Sequence, residues 1–231
     1  MAPAAIAHCD RLRRLPTATV SDVLAAMGLD DRIVSWTLRP IGAPVPFAGP
    51  AVCFAGEDDD SSTPPSAAKL AYETDRRIVP GCVAVIATRA HRVGAVIGGN
   101  SIASWRRHGL AALVTDGLVR DVGDFDGLPT ICAGRTPMNN RGRWSYRTLD
   151  REVELPGQTG RPVIVRPGDV VHGDRDGVLV VPAEHLPRLV HDVEITDAIE
   201  RRMREQIDAG VDRQVVYETN PRFAHVRRVV S

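Results

Sequence analysis

The sequence predicts an α/β protein in which strands and helices alternate early in the chain and a long helix follows near the C-terminus. Three observations carry this prediction. Residues 80–115 alternate turn, strand, helix and strand, which is typical of a βαβ unit. Residues 162–181 hold three short apolar runs separated by Gly-containing turns, which predicts a β-meander. Residues 186–207 repeat apolar side chains at helical spacing, which indicates an amphipathic helix.

The βαβ unit is predicted from its turn residues as well as from its apolar runs. A Pro-Gly turn leads into a strand at 82–87, and a second apolar run at 92–98 ends at the first of two adjacent glycines. Helical spacing over 102–108 is closed by a glycine. The almost wholly apolar run 110–115 favours a strand that is buried on both faces.

Shorter signals place the remaining elements. Apolar residues at helical spacing predict a helix over 17–28 and a shorter one over 67–74. Proline-rich sequence leads to a strand at 51–54, and the acidic, Ser- and Pro-rich residues 57–65 predict an exposed loop. A further apolar piece spans 130–133. We expect residues 1–231 to form a single domain with an N-terminal helix, a C-terminal helix and a tail. The strands expected in the meander are 162–165, 170–172 and 178–181.

Composition narrows the class of protein. Of 231 residues, 43% are hydrophobic, and 29 Lys and Arg balance 29 Asp and Glu, so the basic excess of a nucleic-acid-binding module is missing. No apolar run approaches the roughly 18 residues that a membrane span requires. The first residues lack the basic segment of a signal peptide. We therefore expect a cytoplasmic protein that binds neither nucleic acid nor membrane.

Cysteine and lysine usage limits the possible chemistry. The four cysteines lie far apart with no C-x-x-C pair, so we expect buried thiols rather than a zinc or redox site. The chain has a single lysine, Lys69. Any mechanism through a lysine Schiff base would have to use that residue.

The most informative motif is the segment 115–121, Thr-Asp-Gly-Leu-Val-Arg-Asp, which follows a predicted buried strand. Ligands gather at the carboxyl ends of strands in open α/β sheets. Arg120 offers a planar, two-pronged donor for a carboxylate, and Asp121 offers a hard oxygen ligand for Mg²⁺ or Mn²⁺. The alternative is an ion pair that braces the turn, formed by Arg120 with Asp116 or with Asp121.

A second motif, Gly98-Gly99-Asn100-Ser101, lies just before the helix predicted to begin at 102. Glycines allow close approach of the backbone to a ligand, and free amides at the start of a helix bind anions. The spacing does not match a dinucleotide-binding fingerprint. The alternative here is a Gly-rich turn with a polar cap.

Taken in order, several segments resemble the family of the regulator of ribonuclease E activity A, which also contains 4-hydroxy-4-methyl-2-oxoglutarate aldolases that decarboxylate oxaloacetate. The core of the resemblance is the Asp-Gly-x-x-Arg-Asp pattern that ends at Asp121. No single segment is decisive, but the ordered set is fairly specific. The matching segments are 17–22, 47–52, 109–121, 166–169 and 176–182.

The resemblance implies a swivelling-domain-like α/β/β/α sandwich with a C-terminal helix, assembled as a homotrimer or as a homohexamer built from two trimers. It implies that Arg120 holds the pyruvyl group of a 2-oxo acid and that Asp121 ligates a divalent metal. It also implies that the substrate carboxylate is received at Gly98, Gly99, Asn100 and Ser101. Glu194 of a neighbouring subunit is the best match to a glutamate that approaches the metal through water.

One departure from the family leaves the activity open. Aldolase members usually carry Asp or Glu directly after the first glycine of the second motif, where this chain has Gly99. The first hypothesis is a Mg²⁺- or Mn²⁺-dependent (class II) aldolase or 2-oxo acid decarboxylase that works through a pyruvate enolate. The alternatives are a non-catalytic regulator that binds a ribonuclease, which Gly99 favours, and a lyase with a diverged substrate.

Overall fold

The computed structural model describes residues 3–42, 46–60, 64 and 66–229. Most of the tip of the loop expected at 57–65 lies outside the described residues. The strands are β1 (Arg39–Pro40), β2 (Phe47–Asp58), β3 (Val83–Ala87), β4 (Ala95–Ile97), β5 (Ala112–Thr115), β6 (Leu118–Val119), β7 (Thr130–Cys132), β8 (Gly134–Arg135), β9 (Trp144–Leu149), β10 (Val153–Pro156), β11 (Pro162–Val165), β12 (Val170–Gly173) and β13 (Val178–Val181). The α-helices are α1 (Pro3–Leu12), α2 (Thr17–Met27), α3 (Ala67–Glu73), α4 (Gly99–Arg107), α5 (Leu186–Asp208) and α6 (Arg213–Thr219).

The predicted α/β class with a C-terminal helix is confirmed. The main sheet has the order β1-β7-β5-β3-β2-β12-β13, with parallel pairing from β2 through β3 and β5 to β7. Strand β2 is long enough to pair with β12 through its first residues and with β9 through its last. This double pairing curls the sheet. Three short strands, β4, β6 and β8, form a separate parallel sheet.

Apolar side chains fill both faces of the main sheet. One cluster, which includes Val85, Val114 and Val180, packs one face, and a second cluster around Trp105 and Phe54 packs beneath α4. The predicted helix 17–28 is confirmed as α2, and its apolar residues face β13 and α5 in a third cluster. Each fully buried aliphatic side chain contributes about 1.5–3 kcal/mol through burial.

The strands predicted at 162–165, 170–172 and 178–181 are confirmed as β11, β12 and β13, but the predicted β-meander is wrong. Strand β11 pairs antiparallel with β10 in a two-stranded sheet, whereas β12 pairs with β13 and β2. The turn between β11 and β12 does not close a hairpin, because its backbone bonds go to β2. Gly168 N–H donates to Ala51 O at 3.0 Å, and Ala51 N–H donates to Asp169 O at 2.7 Å.

The structure also moves or adds elements. Helix α4 begins at Gly99, three residues before the predicted start, and strands β9 and β10 and helices α1 and α6 were not predicted. The tail after Gly210 folds back, and Val229 N–H donates to Met27 O at 2.8 Å. Within the described residues, no helix is both long and apolar enough to cross a bilayer.

The four cysteines are buried free thiols, as predicted. Burial raises the pKa of Cys9 to about 11 and that of Cys53 to about 12, with nearby aspartates adding to both shifts. A thiol with a raised pKa stays protonated near neutral pH and is a poor nucleophile.

Candidate functional site

Two neighbouring parallel strands deliver the candidate residues to one place. Gly98 directly follows β4, and Arg120 and Asp121 directly follow β6. The pairing of the strands continues one step further, because Arg120 N–H donates to Ile97 O at 3.2 Å. The two motifs identified in the sequence therefore lie side by side at the carboxyl end of the small sheet, where ligands bind in open α/β folds.

The two glycines are required by space rather than by backbone conformation. Gly98 has an extended backbone with φ −148°. A β-carbon there would lie 2.7 Å from Asp121 Oδ2 and 3.0 Å from Arg120 Nε. A β-carbon on Gly99 would collide with Asp124 Oδ2. The missing side chains therefore let two carboxylates and a guanidinium approach the start of α4.

The first turn of α4 presents amide hydrogens to this space. Gly99 N–H donates to Asp121 Oδ2 at 3.2 Å. The next two amides, of Asn100 and Ser101, have no acceptor among the described residues. Free amides and the positive end of the helix dipole together favour a bound anion. The Gly-Gly-Asn-Ser segment is thus the first turn of the helix and not a loop before it.

These groups line a small cavity of about 160 Å³. Its volume corresponds to about five water molecules at liquid density, which is the scale of a three-carbon acid. A larger cavity of about 590 Å³ adjoins it and shares three lining residues, Ala71, Asn140 and Tyr146. The predicted residues that line the small cavity are Gly98, Asn100, Ser101, Arg120 and Asp121.

The alternative in which Arg120 braces the turn through Asp116 is wrong. The Asp116 carboxylate instead accepts Thr88 N–H at 2.6 Å and Ala90 N–H at 2.9 Å. Arg120 Nε does contact Asp121 Oδ2 at 3.3 Å, with both side chains partly open to solvent. Asp121 has φ +56°, in the left-handed region that few non-glycine residues adopt. Such strain concentrates at functional sites.

Comparison with known proteins identifies the family. The pattern of the RraA-like family, described as Aldolase/RraA, matches residues 17–180. The chain belongs to this family. A "Putative 4-hydroxy-4-methyl-2-oxoglutarate aldolase" of Halalkalibacterium halodurans is 29% identical over 184 residues, which cover 79% of this chain and 80% of that protein. A protein of the same name from Burkholderia multivorans is 31% identical over 69% of this chain and 88% of its own length.

Solved structures agree with the RraA-like fold. Streptomyces coelicolor RraAS2, described as an unusual member of the RNase ES inhibitor RraA protein family, superposes with a TM-score of 0.70 at 22% identity. The match covers 87% of this chain and 95% of that one. An uncharacterized protein from Pseudomonas syringae superposes with a TM-score of 0.76 at 20% identity, over 91% and 96% of the two chains.

The resemblance to the family implies a bound Mg²⁺ or Mn²⁺. The carboxylates near the small cavity suit such an ion if it keeps most of its water ligands. Among the described residues, no three His, Cys, Asp or Glu side chains form a metal-binding group. Mg²⁺ commonly keeps several waters and takes only one or two protein carboxylates. Asp121 is one such carboxylate, and the Asp124 oxygen that lies against Gly99 is a second one nearby. These two carboxylates beside the start of α4 are therefore compatible with such an ion.

Glu194 lies away from this cavity within its own chain. On α5, its carboxylate receives Arg11 Nε at 2.8 Å and Nη2 at 2.6 Å. The hydrogen bond from Arg11 lowers the pKa of Glu194. Its expected role toward a neighbouring subunit's metal stays a prediction, and the carboxylate would have to share that role with Arg11.

Two polar residues of the cavity wall, Asn140 and Tyr146, were not predicted from the sequence. Tyr146 lies on β9, a strand that the sequence analysis did not predict. The alternation of aromatic and polar residues in Trp144-Ser145-Tyr146-Arg147 was the sequence signal that could have revealed the strand.

Proposed function

We propose that this RraA-like protein is a divalent-metal-dependent lyase that cleaves or decarboxylates a small 2-oxo acid through the enolate of pyruvate. The observation that carries the proposal is the convergence of Arg120, Asp121 and the free amides of α4 on one cavity of about 160 Å³. An arginine fork and helix amides are complementary to a carboxylate. The relatives named as aldolases agree with this reaction class.

The protein's own groups would divide the work as follows. The amides of Asn100 and Ser101 bind the substrate carboxylate, and Arg120 binds the 2-oxo end and stabilises the charge that develops on its oxygen. Asp121 holds the ion, and Mg²⁺ or Mn²⁺ supplies Lewis-acid stabilisation of the enolate when bound. The only lysine, Lys69, lies exposed on α3 and has no place in this scheme.

A second candidate function is binding to a ribonuclease without catalysis. The observation that favours it is Gly99, which leaves out the acidic side chain that aldolase members usually carry at that position. The Asp124 carboxylate against Gly99 restores negative charge to the same region, and this favours the lyase.

A trimeric or hexameric assembly, inferred from the resemblance, remains part of the proposal.

The proposal is tested by measuring pyruvate formation from oxaloacetate and from 4-hydroxy-2-oxo acids. The protein is assayed after treatment with a chelator and again after addition of Mg²⁺ or Mn²⁺. We expect activity that the chelator abolishes and the metal restores. Full activity in excess chelator would contradict the metal-dependent mechanism, and no pyruvate from any substrate would favour the ribonuclease-binding alternative.

A further inference from the structure

Tyr146 is a rigid part of the wall between the small and large cavities. Its side chain is 5% exposed. The ring contacts Trp144 edge-on at a centroid distance of 4.8 Å and Phe54 edge-on at 6.1 Å. Aromatic neighbours in these geometries hold a ring in place. The hydroxyl therefore occupies a fixed position without any contribution from a ligand.

The Tyr146 hydroxyl has an unused hydrogen-bonding capacity. No partner of this hydroxyl is found among the described residues. The indole nitrogen of neighbouring Trp144 is sealed from solvent and has no partner, whereas the Tyr146 hydroxyl is not sealed in this way. Tyr146 lines both cavities. A buried polar group usually has a partner, so a ligand group is the natural one.

The hydroxyl is a neutral donor at working pH. Burial raises the pKa of Tyr146, and the negative charge of Asp75 raises it further. A phenol that does not ionise cannot act as a base, but it can donate one hydrogen bond to an oxygen that gains negative charge.

We propose that Tyr146 donates a hydrogen bond to the C4 oxygen of a 4-hydroxy-2-oxo acid and thereby favours aldol cleavage over decarboxylation. This inference rests on the proposed lyase function. If Arg120 and the α4 amides hold the pyruvyl end in the small cavity, the rest of the substrate extends into the larger cavity. The bond to be broken then lies at their shared wall, where Tyr146 is placed.

The chemistry gives the hydrogen bond a role in only one of the two reactions. In cleavage, the C4 hydroxyl gives its proton to water, so the C4 oxygen gains negative charge. That oxygen then becomes a carbonyl as the C3–C4 bond breaks, and the electron pair of the broken bond forms the enolate. Water returns a proton to C3, so pyruvate and a carbonyl compound form with no net gain or loss of protons. In decarboxylation of oxaloacetate, the C4 carboxylate loses negative charge as it leaves as CO₂. A donor to C4 oxygen therefore accelerates cleavage but not decarboxylation.

The test compares the wild type, Tyr146→Phe and the control Tyr217→Phe. Tyr217 lies on α6, is 52% exposed and lines neither of the two cavities. Each protein is assayed for pyruvate release from 4-hydroxy-2-oxopentanoate and from oxaloacetate, with Mg²⁺ present. Pyruvate binding by calorimetry and the Tm are measured on the same preparations. Because the hydroxyl has no partner among the residues that the structure describes, we expect Tyr146→Phe to leave the Tm unchanged.

We expect Tyr146→Phe to lower kcat/KM for cleavage by about 10-fold or more, the effect of losing one hydrogen bond to developing charge. Decarboxylation and pyruvate binding by Tyr146→Phe should stay within about twofold of the wild type, and so should both activities of the control Tyr217→Phe. Equal cleavage by the wild type and Tyr146→Phe would overturn the inference while the lyase function stands. So would equal losses in both reactions, or a wild type that only decarboxylates. A wild type that releases no pyruvate would overturn the proposed function itself.

Discussion

Replacing Arg120 with lysine separates a role in chemistry from a role in bracing the turn. Lysine keeps the positive charge but loses the planar pair of donors that matches a carboxylate or an enolate. Losing one such transition-state contact lowers kcat/KM by roughly 10²-fold, or about 2.7 kcal/mol. The Arg120–Asp121 contact is 3.3 Å long, and the two side chains are 38% and 44% exposed. An ion pair this open contributes at most about 1 kcal/mol to folding.

The assay compares the loss of transition-state stabilisation with the loss of folding stability. Kinetics of pyruvate release and thermal unfolding are measured on the same preparations of Arg120→Lys. We expect kcat/KM to fall roughly 10²-fold, while Tm changes by less than about 4 °C, the shift that 1 kcal/mol produces at this chain length. Arg106→Lys is the matched control, because Arg106 also lies on the surface in an ion pair and is 36% exposed. An Arg120→Lys protein with lower Tm but unchanged kcat/KM would refute the catalytic assignment.

Three further outcomes are expected. Asp121→Asn should weaken Mn²⁺ binding, measured by electron paramagnetic resonance, by about 10-fold or more, and unchanged binding would remove Asp121 from the metal site. Lys69→Arg should keep activity within about twofold, and borohydride with pyruvate should trap no adduct, whereas an adduct on Lys69 would establish a Schiff base. Asp174→Ala should lower the free energy of unfolding by about 1–3 kcal/mol at neutral pH, and the exposed Asp176→Ala should not. Burial opposes ionisation of Asp174, but the hydroxyl and amide of Thr17 outweigh it and lower its pKa. This contribution to stability is complete above about pH 3.9 and is lost as the pH falls through the lower pKa of the folded state. Plots of the free energy of unfolding against pH for the wild type and Asp174→Ala should therefore converge in acid.

Local sequence patterns determined the helices and strands that depend only on residues close together in the sequence. The spacing of Val20, Val23, Leu24 and Met27 predicted α2, because a helix places such residues on one face. The apolar run that forms β5 indicated a strand buried on both faces, and each of its residues is buried in the structure. The Arg120-Asp121 pair was also visible in sequence, since its residue types indicate chemistry before any fold is known.

Only the tertiary structure decided which of these segments meet. The cavity combines residues that follow β4 and β6 with Asn140 and with Tyr146 of β9, and no local pattern encodes that combination. The pairing of β2 with both β12 and β9 is likewise set by hydrogen bonds between segments far apart in sequence. Local periodicity reports which face of an element is apolar. The partner of that face is chosen by packing and backbone pairing summed over the whole chain.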